Sequence, residues 1–312
     1  MNELEKRDFM KYSRLKISIT NVCNLQCKHC YLNENNYVFL NVNRIKELLR
    51  QGKELGVEII DITGGEPTTH PNFVEIIDYA KKLEFQKINV STNGIIINQD
   101  YKILDALIKD NVECHISLDA INNEKLNLIR GNNVFLKLEE SFEILKKNKV
   151  NFTIRYSLNK LNYKDVASMI EYGEKLGVNI SIGATQLVGH ADKKLILNNE
   201  EFDEVRKIIK KYKNNVKIQI EECFTEYCPC DGGFIDILSI NHFGNSVECL
   251  MMSDDKNIVS NKKSLKELWD EALDKKKILK DFKINEKKCK ECEHFKFCKS
   301  GCLVTARTKG CV

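Results

Sequence analysis

Between residues 14 and 220 the sequence alternates short apolar runs with longer amphipathic segments. The apolar runs predict strands and the amphipathic segments predict helices, an alternation typical of a parallel sheet covered by helices. Six strand–helix units are fewer than the eight that close a complete barrel, so we expect an α/β fold, a partial (β/α)6 TIM-like barrel open on one side. The predicted strands are 15–20, 57–63, 87–92, 112–118, 151–158 and 178–183, and the predicted helices are 43–55, 72–83, 100–109, 134–147, 163–175 and 199–212.

The cysteines divide the chain unevenly. Residues 1–222 contain four of them and the last 90 residues contain nine. The N-terminal sequence MNELEKRDFM is charged and has no apolar signal segment, so we expect a cytoplasmic protein whose cysteines serve metal or thiol chemistry. We predict an N-terminal extension (1–13), a barrel domain (14–222) and a cysteine-rich C-terminal domain (223–312), which is too poor in apolar residues for a core without a metal staple.

Composition excludes several partners. Hydrophobic residues make up 42% of the chain, which is enough for a core. No apolar run approaches the ~18 residues of a membrane helix, so no membrane partner is expected. The net charge of +4 is too small to indicate nucleic-acid binding.

Three cysteines follow the first predicted strand with the spacing C-x3-C-x2-C: Cys23, Cys27 and Cys30. Three thiolates can bind three irons of a [4Fe–4S] cluster and leave the fourth iron open to another ligand. A zinc site needs a fourth protein ligand, and His29 is confined between two of the cysteines. The spacing therefore favours an iron–sulfur cluster.

The second predicted strand ends in Thr63-Gly-Gly-Glu-Pro67. With the cysteine motif one unit earlier, this sequence resembles the radical S-adenosylmethionine (SAM) enzymes. The resemblance implies SAM and a [4Fe–4S] cluster as cofactors, and a 5′-deoxyadenosyl radical that abstracts hydrogen from a substrate. It also implies a one-electron reductant of the flavodoxin or ferredoxin type.

The same resemblance implies SAM contacts at the ends of four strands. The matching positions are Gly64, Gly65, Glu66, Ser91, Asn93, Ser117 and Asp119. Arg130 and Arg155 are candidate partners for the SAM carboxylate; alternatively, Arg130 lies on the surface and Arg155 forms an ion pair at the edge of the core. If Ser117 faces the barrel interior, strand alternation places His115 on the same side and Cys114 on the other, as a buried and inert thiol.

The C-terminal cysteines resemble the SPASM extension of radical SAM enzymes, in the pattern Cys230-x13-Gly244-x4-Cys249 followed by Cys289-x2-Cys292-x5-Cys298-x3-Cys302-x8-Cys311. This implies one or two auxiliary [4Fe–4S] clusters. The first would use Cys230, Cys249 and Cys302, and the second Cys289, Cys292, Cys298 and Cys311. Cys223 and Cys228 compete to be the fourth ligand of the first cluster.

SPASM enzymes mostly modify peptides or proteins, and this chain resembles the radical SAM epimerases of epipeptide biosynthesis. The resemblance predicts conversion of L- to D-residues in a ribosomally synthesised precursor peptide, the expected partner. Cys223, or else Cys228, would return hydrogen to Cα. Two other functions stay open: a peptide maturase that forms thioether or carbon–carbon crosslinks or oxidises like a sulfatase maturase, and a non-enzymatic iron–sulfur electron carrier.

Overall fold

The computed structural model describes residues 13–32, 37–108, 111–131, 134–212, 218–220, 237–247, 249–252 and 263–281. Nine strands lie within these ranges and form one sheet. They are β1 (Arg14–Ser18), β2 (Ile59–Thr63), β3 (Lys87–Thr92), β4 (Val112–Ser117), β5 (Asn151–Leu158), β6 (Asn179–Ala184), β7 (Ile218–Ile220), β8 (Ile237–Ile240) and β9 (Ser246–Val247). The sheet order is β7-β6-β5-β4-β3-β2-β1-β8-β9.

Helices connect and cover the strands. Several begin at an asparagine or aspartate whose side chain accepts a hydrogen bond from the first helical turn, as at Asn41 and Asp100. Asn198 and Glu201 form a reciprocal capping box. The described helices are α1 (Val42–Glu54), α2 (Phe73–Lys82), α3 (Tyr101–Leu107), α4 (Asn123–Arg130), α5 (Val134–Lys147), α6 (Val166–Leu176), α7 (Asn199–Lys211) and α8 (Leu265–Asp281).

The predicted α/β partial barrel is confirmed. Strands β1 to β6 are adjacent in chain order and every pair is parallel. Two further strands extend the sheet in parallel, β7 beside β6 and β8 beside β1, and β9 is antiparallel to β8. Helix α4 was not predicted, because its eight residues carry only a short apolar pattern. In the described part of the chain, no helix is long and apolar enough to cross a membrane.

The two faces of the sheet differ in polarity. One face packs against the helices with fully buried Ile, Leu and Val side chains, and it includes Cys114, which is 0% exposed as predicted. Burial alternates along β4, so Glu113, His115 and Ser117 lie on the opposite face. The polar residues of this opposite face, called the concave face below, include Arg14, Lys16, Asp61, Asn89, Ser91, Glu113, His115, Ser117, Thr153, Arg155 and Ser181.

The packing of α5 on β5 provides a test of the core. Phe142 is 1% exposed and stacks on Phe152 with ring centroids 5.3 Å apart. We expect Phe142→Ala to lower the free energy of unfolding by about 3–5 kcal/mol in chemical denaturation, because it leaves a cavity. Leu136→Ala, on the same helix but 58% exposed, is the control and should change it by less than about 0.5 kcal/mol. Equal effects would contradict this packing.

Candidate active site

The parallel strands β1 to β6 end at the same edge of the sheet, where catalytic residues collect in parallel α/β barrels. The segment after β1 holds the three cysteines. The segment after β2 holds the Gly-Gly-Glu run, and those after β3 and β4 begin with Asn93 and Asp119. The fold therefore brings together four motifs that lie far apart in the sequence.

The segment 19–32, called the cysteine loop, is anchored at several points. The Thr20 hydroxyl donates to the Val38 carbonyl and accepts from the Val22 amide. The Lys28 amide donates to the carbonyl of Ile129, so α4 supports the middle of the loop. A loop with this many backbone attachments can hold three thiols in a fixed relation.

The thiols of Cys23, Cys27 and Cys30 are partly buried and receive hydrogen-bond donors. The Leu25 amide lies 3.4 Å from Cys23 Sγ, and the Arg130 guanidinium lies 3.8 Å from Cys27 Sγ. Burial raises the pKa of all three thiols, for Cys23 to about 12. Deprotonation therefore requires a positive partner such as iron.

These residues fit an iron–sulfur cluster better than a single metal ion. Among the described residues, no three His, Cys, Asp or Glu side chains are arranged around one ion. A [4Fe–4S] cluster binds each thiolate to a different iron, so its ligands lie further apart than those of one ion. Donors directed at sulfur stabilise thiolate ligands of this kind.

Gly64 and Gly65 pack against the cysteine loop. A Cβ on Gly64 would lie 2.3 Å from the Thr20 carbonyl oxygen, and one on Gly65 would lie 2.5 Å from that of Val22. Gly64 also has a φ of +154°, which favours glycine. The amides of Gly65 and Glu66 donate to the carbonyls of Thr20 and Val22 at 2.8 Å. The two glycines thus allow close backbone packing, and their predicted contact with SAM stays a prediction.

Glu66 is fully buried and joins the second strand end to the third. Its Oε1 accepts from the amide and hydroxyl of Thr68 and from the hydroxyl of Thr92, and its Oε2 accepts from the Asn93 amide at 2.6 Å. Burial raises its pKa although these hydrogen bonds oppose the shift. Its carboxylate is therefore already occupied by protein donors, and its predicted role in SAM binding stays a prediction.

Asp119 and Arg130 form a buried ion pair beside Cys27. The Arg130 Nε lies 2.6 Å from Asp119 Oδ2, and the Ser157 amide donates to Asp119 Oδ1 at 2.9 Å. Burial disfavours the charge on Arg130, but Asp119 and Cys27 outweigh this and raise its pKa. Arg130 is 6% exposed, so the alternative that it is a surface arginine is wrong. His29 Nε2 lies 3.4 Å from Asp119 Oδ2, a contact that the sequence did not suggest.

The remaining residues predicted to contact SAM lie in two places, beside the cysteine loop and on the concave face. Asn93 is near the cysteine loop, with its side-chain Nδ2 2.6 Å from Asn24 Oδ1 and 3.9 Å from Cys23 Sγ. Ser91 and Arg155 meet on the concave face, with Arg155 Nη1 3.5 Å from Ser91 Oγ. Ser117 is also on that face. SAM binding by these residues stays a prediction.

Most of the predicted auxiliary-cluster cysteines lie outside the described residues. They are Cys223, Cys228, Cys230, Cys289, Cys292, Cys298, Cys302 and Cys311. Cys249 is described, is partly buried and forms no disulfide. The SPASM domain and its clusters therefore stay predictions.

Sequence reasoning missed two residues that support the cysteine loop, Gly189 and His190. The His190 amide, after β6, donates to the Cys30 carbonyl at 2.8 Å. The preceding Gly189 has a φ of +58°, and a Cβ there would lie 2.3 Å from the Tyr31 carbonyl oxygen. A lone glycine 159 positions after the motif carries no local signal of this contact.

The parallel partial barrel thus carries three thiols, a Gly-Gly-Glu turn and a buried Asp–Arg pair at its carboxyl edge. The model of the radical SAM superfamily matches residues 17–173, just over half of the 312 residues. The chain belongs to the radical SAM superfamily. SAM and a [4Fe–4S] cluster are therefore its cofactors.

Among curated proteins, the chain is similar to GTP 3′,8-cyclases. It is 26% identical over 240 residues to the enzyme of Synechocystis sp., covering 72% of this chain and 71% of the relative. It is 34% identical over 160 residues to the enzyme of Haemophilus ducreyi, covering 48% and 46%.

Solved structures are similar in fold. Streptococcus suis SuiB bound to precursor peptide SuiA has a TM-score of 0.80 at 17% identity, covering 98% of this chain and 75% of that one. Native anSMEcpe with bound AdoMet has a TM-score of 0.71 at 20% identity, covering 93% and 89%. At these identities the likeness is one of fold.

The curated relatives overturn the predicted function. The sequence predicted a peptide epimerase with a ribosomal precursor peptide as partner, whereas the matching curated proteins are GTP 3′,8-cyclases. Both predictions are therefore wrong. The epimerase assignment depended on counting the cysteines near residue 225, which lie outside the described residues, and on no contact in the barrel.

We expect Gly189→Ala to impair the site specifically, because the added Cβ displaces the backbone of Cys30 and Tyr31. Displacement by about 1 Å can reduce catalysis about 100-fold, so iron retention and SAM cleavage per folded protein should both fall. Gly177→Ala is the matched control: Gly177 is also left-handed, with a φ of +72°, but has nothing within 4 Å of its Cβ position. It should cost only about 1 kcal/mol of stability. Equal iron loss in both variants would contradict this role for Gly189.

We expect Glu66→Gln to lower the free energy of unfolding by about 1–3 kcal/mol in chemical denaturation. Either orientation of the new amide places its NH₂ group against a backbone N–H, that of Asn93 or that of Thr68. Glu75→Gln is the control, because Glu75 also accepts hydrogen bonds, from Lys46 and Asn72, but is solvent-exposed. If both variants are equally stable, Glu66 does not join the two strand ends.

Proposed function

We propose that this chain cleaves SAM reductively and uses the resulting radical on a guanine nucleotide. The observation that carries the radical chemistry is the grouping of three thiols with Arg130 and Asn93 at one edge of the barrel. The nucleotide is proposed because the curated relatives named GTP 3′,8-cyclase align with 72–75% of the chain.

The residues around the cysteine loop prepare the thiols for their role. Because burial raises their pKa values, the thiols are neutral without metal, and iron must displace their protons. The guanidinium of Arg130 directs an N–H group at Cys27 Sγ, and the side-chain amide of Asn93 directs one at Cys23 Sγ. Both favour the thiolate form. When bound, the cluster supplies the electron that cleaves SAM. An external reductant of the flavodoxin or ferredoxin type supplies the electron that replaces it.

The concave face receives the substrate in this proposal. It is lined with polar side chains at a position where a closed barrel carries branched apolar ones. The Asp119–Arg130 pair and the ends of β2 to β4 surround the point at which the concave face meets the cysteine loop.

We expect the iron-loaded protein, under anaerobic conditions with dithionite and SAM, to release 5′-deoxyadenosine and to convert GTP into a new nucleotide. GTP should stimulate 5′-deoxyadenosine release, and UTP should not. Liquid chromatography with mass detection measures both products. Cys27→Ala should abolish them because it removes an iron ligand.

Cys114→Ala is the matched control, because Cys114 is a cysteine of the same barrel that lies buried in the core; it should retain both products. Absence of 5′-deoxyadenosine from the iron-loaded wild type would contradict the radical chemistry. Release that GTP does not alter, with GTP recovered unchanged, would contradict the nucleotide substrate alone.

A further inference from the structure

Arg130 is a buried cation that is shared between two groups of the candidate active site. Its Nε lies 2.6 Å from Asp119 Oδ2, and its Nη1 lies 3.8 Å from Cys27 Sγ. Asp119 is 0% exposed and Arg130 is 6% exposed. The guanidinium therefore contacts a carboxylate and a predicted cluster ligand in a region of low dielectric, where electrostatic interactions are stronger than in water.

The backbone around the pair fixes the position of both partners. Arg130 is the last residue of α4, and the Lys28 amide donates to a carbonyl in the last turn of this helix, so the helix end is attached to the cysteine loop. Asp119 is attached to β5, because the Ser157 amide donates to its Oδ1 at 2.9 Å. The guanidinium thus has a defined place beside Cys27.

The two members of the pair act on Cys27 in opposite directions. Burial raises the pKa of this thiol; the positive charge of Arg130 opposes the rise, and the negative charge of Asp119 adds to it. Cys23 differs, because burial and the negative charge of Glu66 both raise its pKa. The three predicted iron ligands are therefore not equivalent, and Cys27 is the one that receives a hydrogen bond from the guanidinium.

The same charges would act on an electron that is added to the cluster. Hydrogen bonds to the sulfur ligands and the local charge set the reduction potential of an iron–sulfur cluster. Reduction adds one negative charge, so a cation against a ligand sulfur favours the reduced state and a nearby carboxylate disfavours it. Loss of Arg130 and loss of Asp119 should therefore move the potential in opposite directions.

We propose that Arg130 acts through Cys27 to raise the reduction potential of the [4Fe–4S] cluster, and that Asp119 limits this rise by sharing the guanidinium. Both are then positioning residues for the electron transfer that precedes SAM cleavage. The inference goes beyond the proposed function, because it requires the cluster of the superfamily and no nucleotide substrate. It is also independent of the predicted contacts with SAM, since the potential is measured without SAM.

An anaerobic potentiometric titration of the iron-loaded protein, without SAM, measures this potential. Electron paramagnetic resonance follows the reduced cluster, and the signal that Cys27→Ala loses identifies the cluster of the cysteine loop. We expect Arg130→Met to lower the potential and Asp119→Asn to raise it. Each change in the reduction equilibrium should be at least about tenfold, which is about 59 mV for one electron.

A double variant, Arg130→Met with Asp119→Asn, keeps the test decisive if a single change leaves a buried charge unpaired and prevents folding. Replacing both partners of a buried pair avoids that cost. The potential of the double variant should lie below that of the wild type, because the donor to Cys27 is gone. A potential equal to that of the wild type would overturn the inference. Single variants that both shift the potential in the same direction, or do not shift it, would also overturn it.

Arg44→Met is the matched control for the removal of a buried arginine. Arg44 is 5% exposed and also has a carboxylate partner, with its Nη1 2.8 Å from Glu47 Oε2. It lies in α1, and its Nη2 donates to the Lys263 carbonyl and not to a cysteine. Arg44→Met should therefore leave the potential unchanged. An equal fall in this variant and in Arg130→Met would contradict the role of Arg130.

Discussion

The carboxylate of Glu66 is the interaction on which the arrangement of the site depends. It is buried and has no counter-ion among the described residues; four hydrogen bonds, from Thr68 after β2 and from Thr92 and Asn93 at the end of β3, stabilise it. Its own amide donates to Val22, in the cysteine loop. Glu66 thus joins three strand ends. Loss of any one donor would leave a buried acceptor unsatisfied and destabilise the protein by the full cost of desolvating that acceptor. The position of the thiols relative to Asn93 follows from this network.

The sequence predicted the alternation of strands and helices and the two faces of β4 because both follow from local patterns. Alternation placed Cys114 in the core and His115 on the other face, and the structure agrees. The cysteine and Gly-Gly-Glu motifs were found because they are contiguous. Their meeting at one edge follows from the parallel order of β1 and β2.

Contacts between distant segments could not be predicted in the same way. The pairing of β8 with β1 and the contact of Gly189 with the cysteine loop join residues about 160 to 220 positions apart, and no local periodicity encodes them. The buried pair of Asp119 and Arg130 depends on α4, a helix too short to give a clear pattern. The substrate was predicted from cysteines outside the barrel, whereas the residues that we propose to contact the substrate lie on its concave face.

Fold and substrate are separable in this architecture. The solved structures of similar fold include a complex with a precursor peptide, and the curated relatives are GTP 3′,8-cyclases, so the barrel alone does not select the substrate. Strand β3 shows how one element both supports the cofactor site and contributes to the concave face. Thr92 holds Glu66 on one face, while Asn89 and Ser91 lie on the other. Because side chains alternate, substitution on the concave face can change the substrate without disturbing Glu66, whereas a shift of one residue in register exchanges the faces and destroys both.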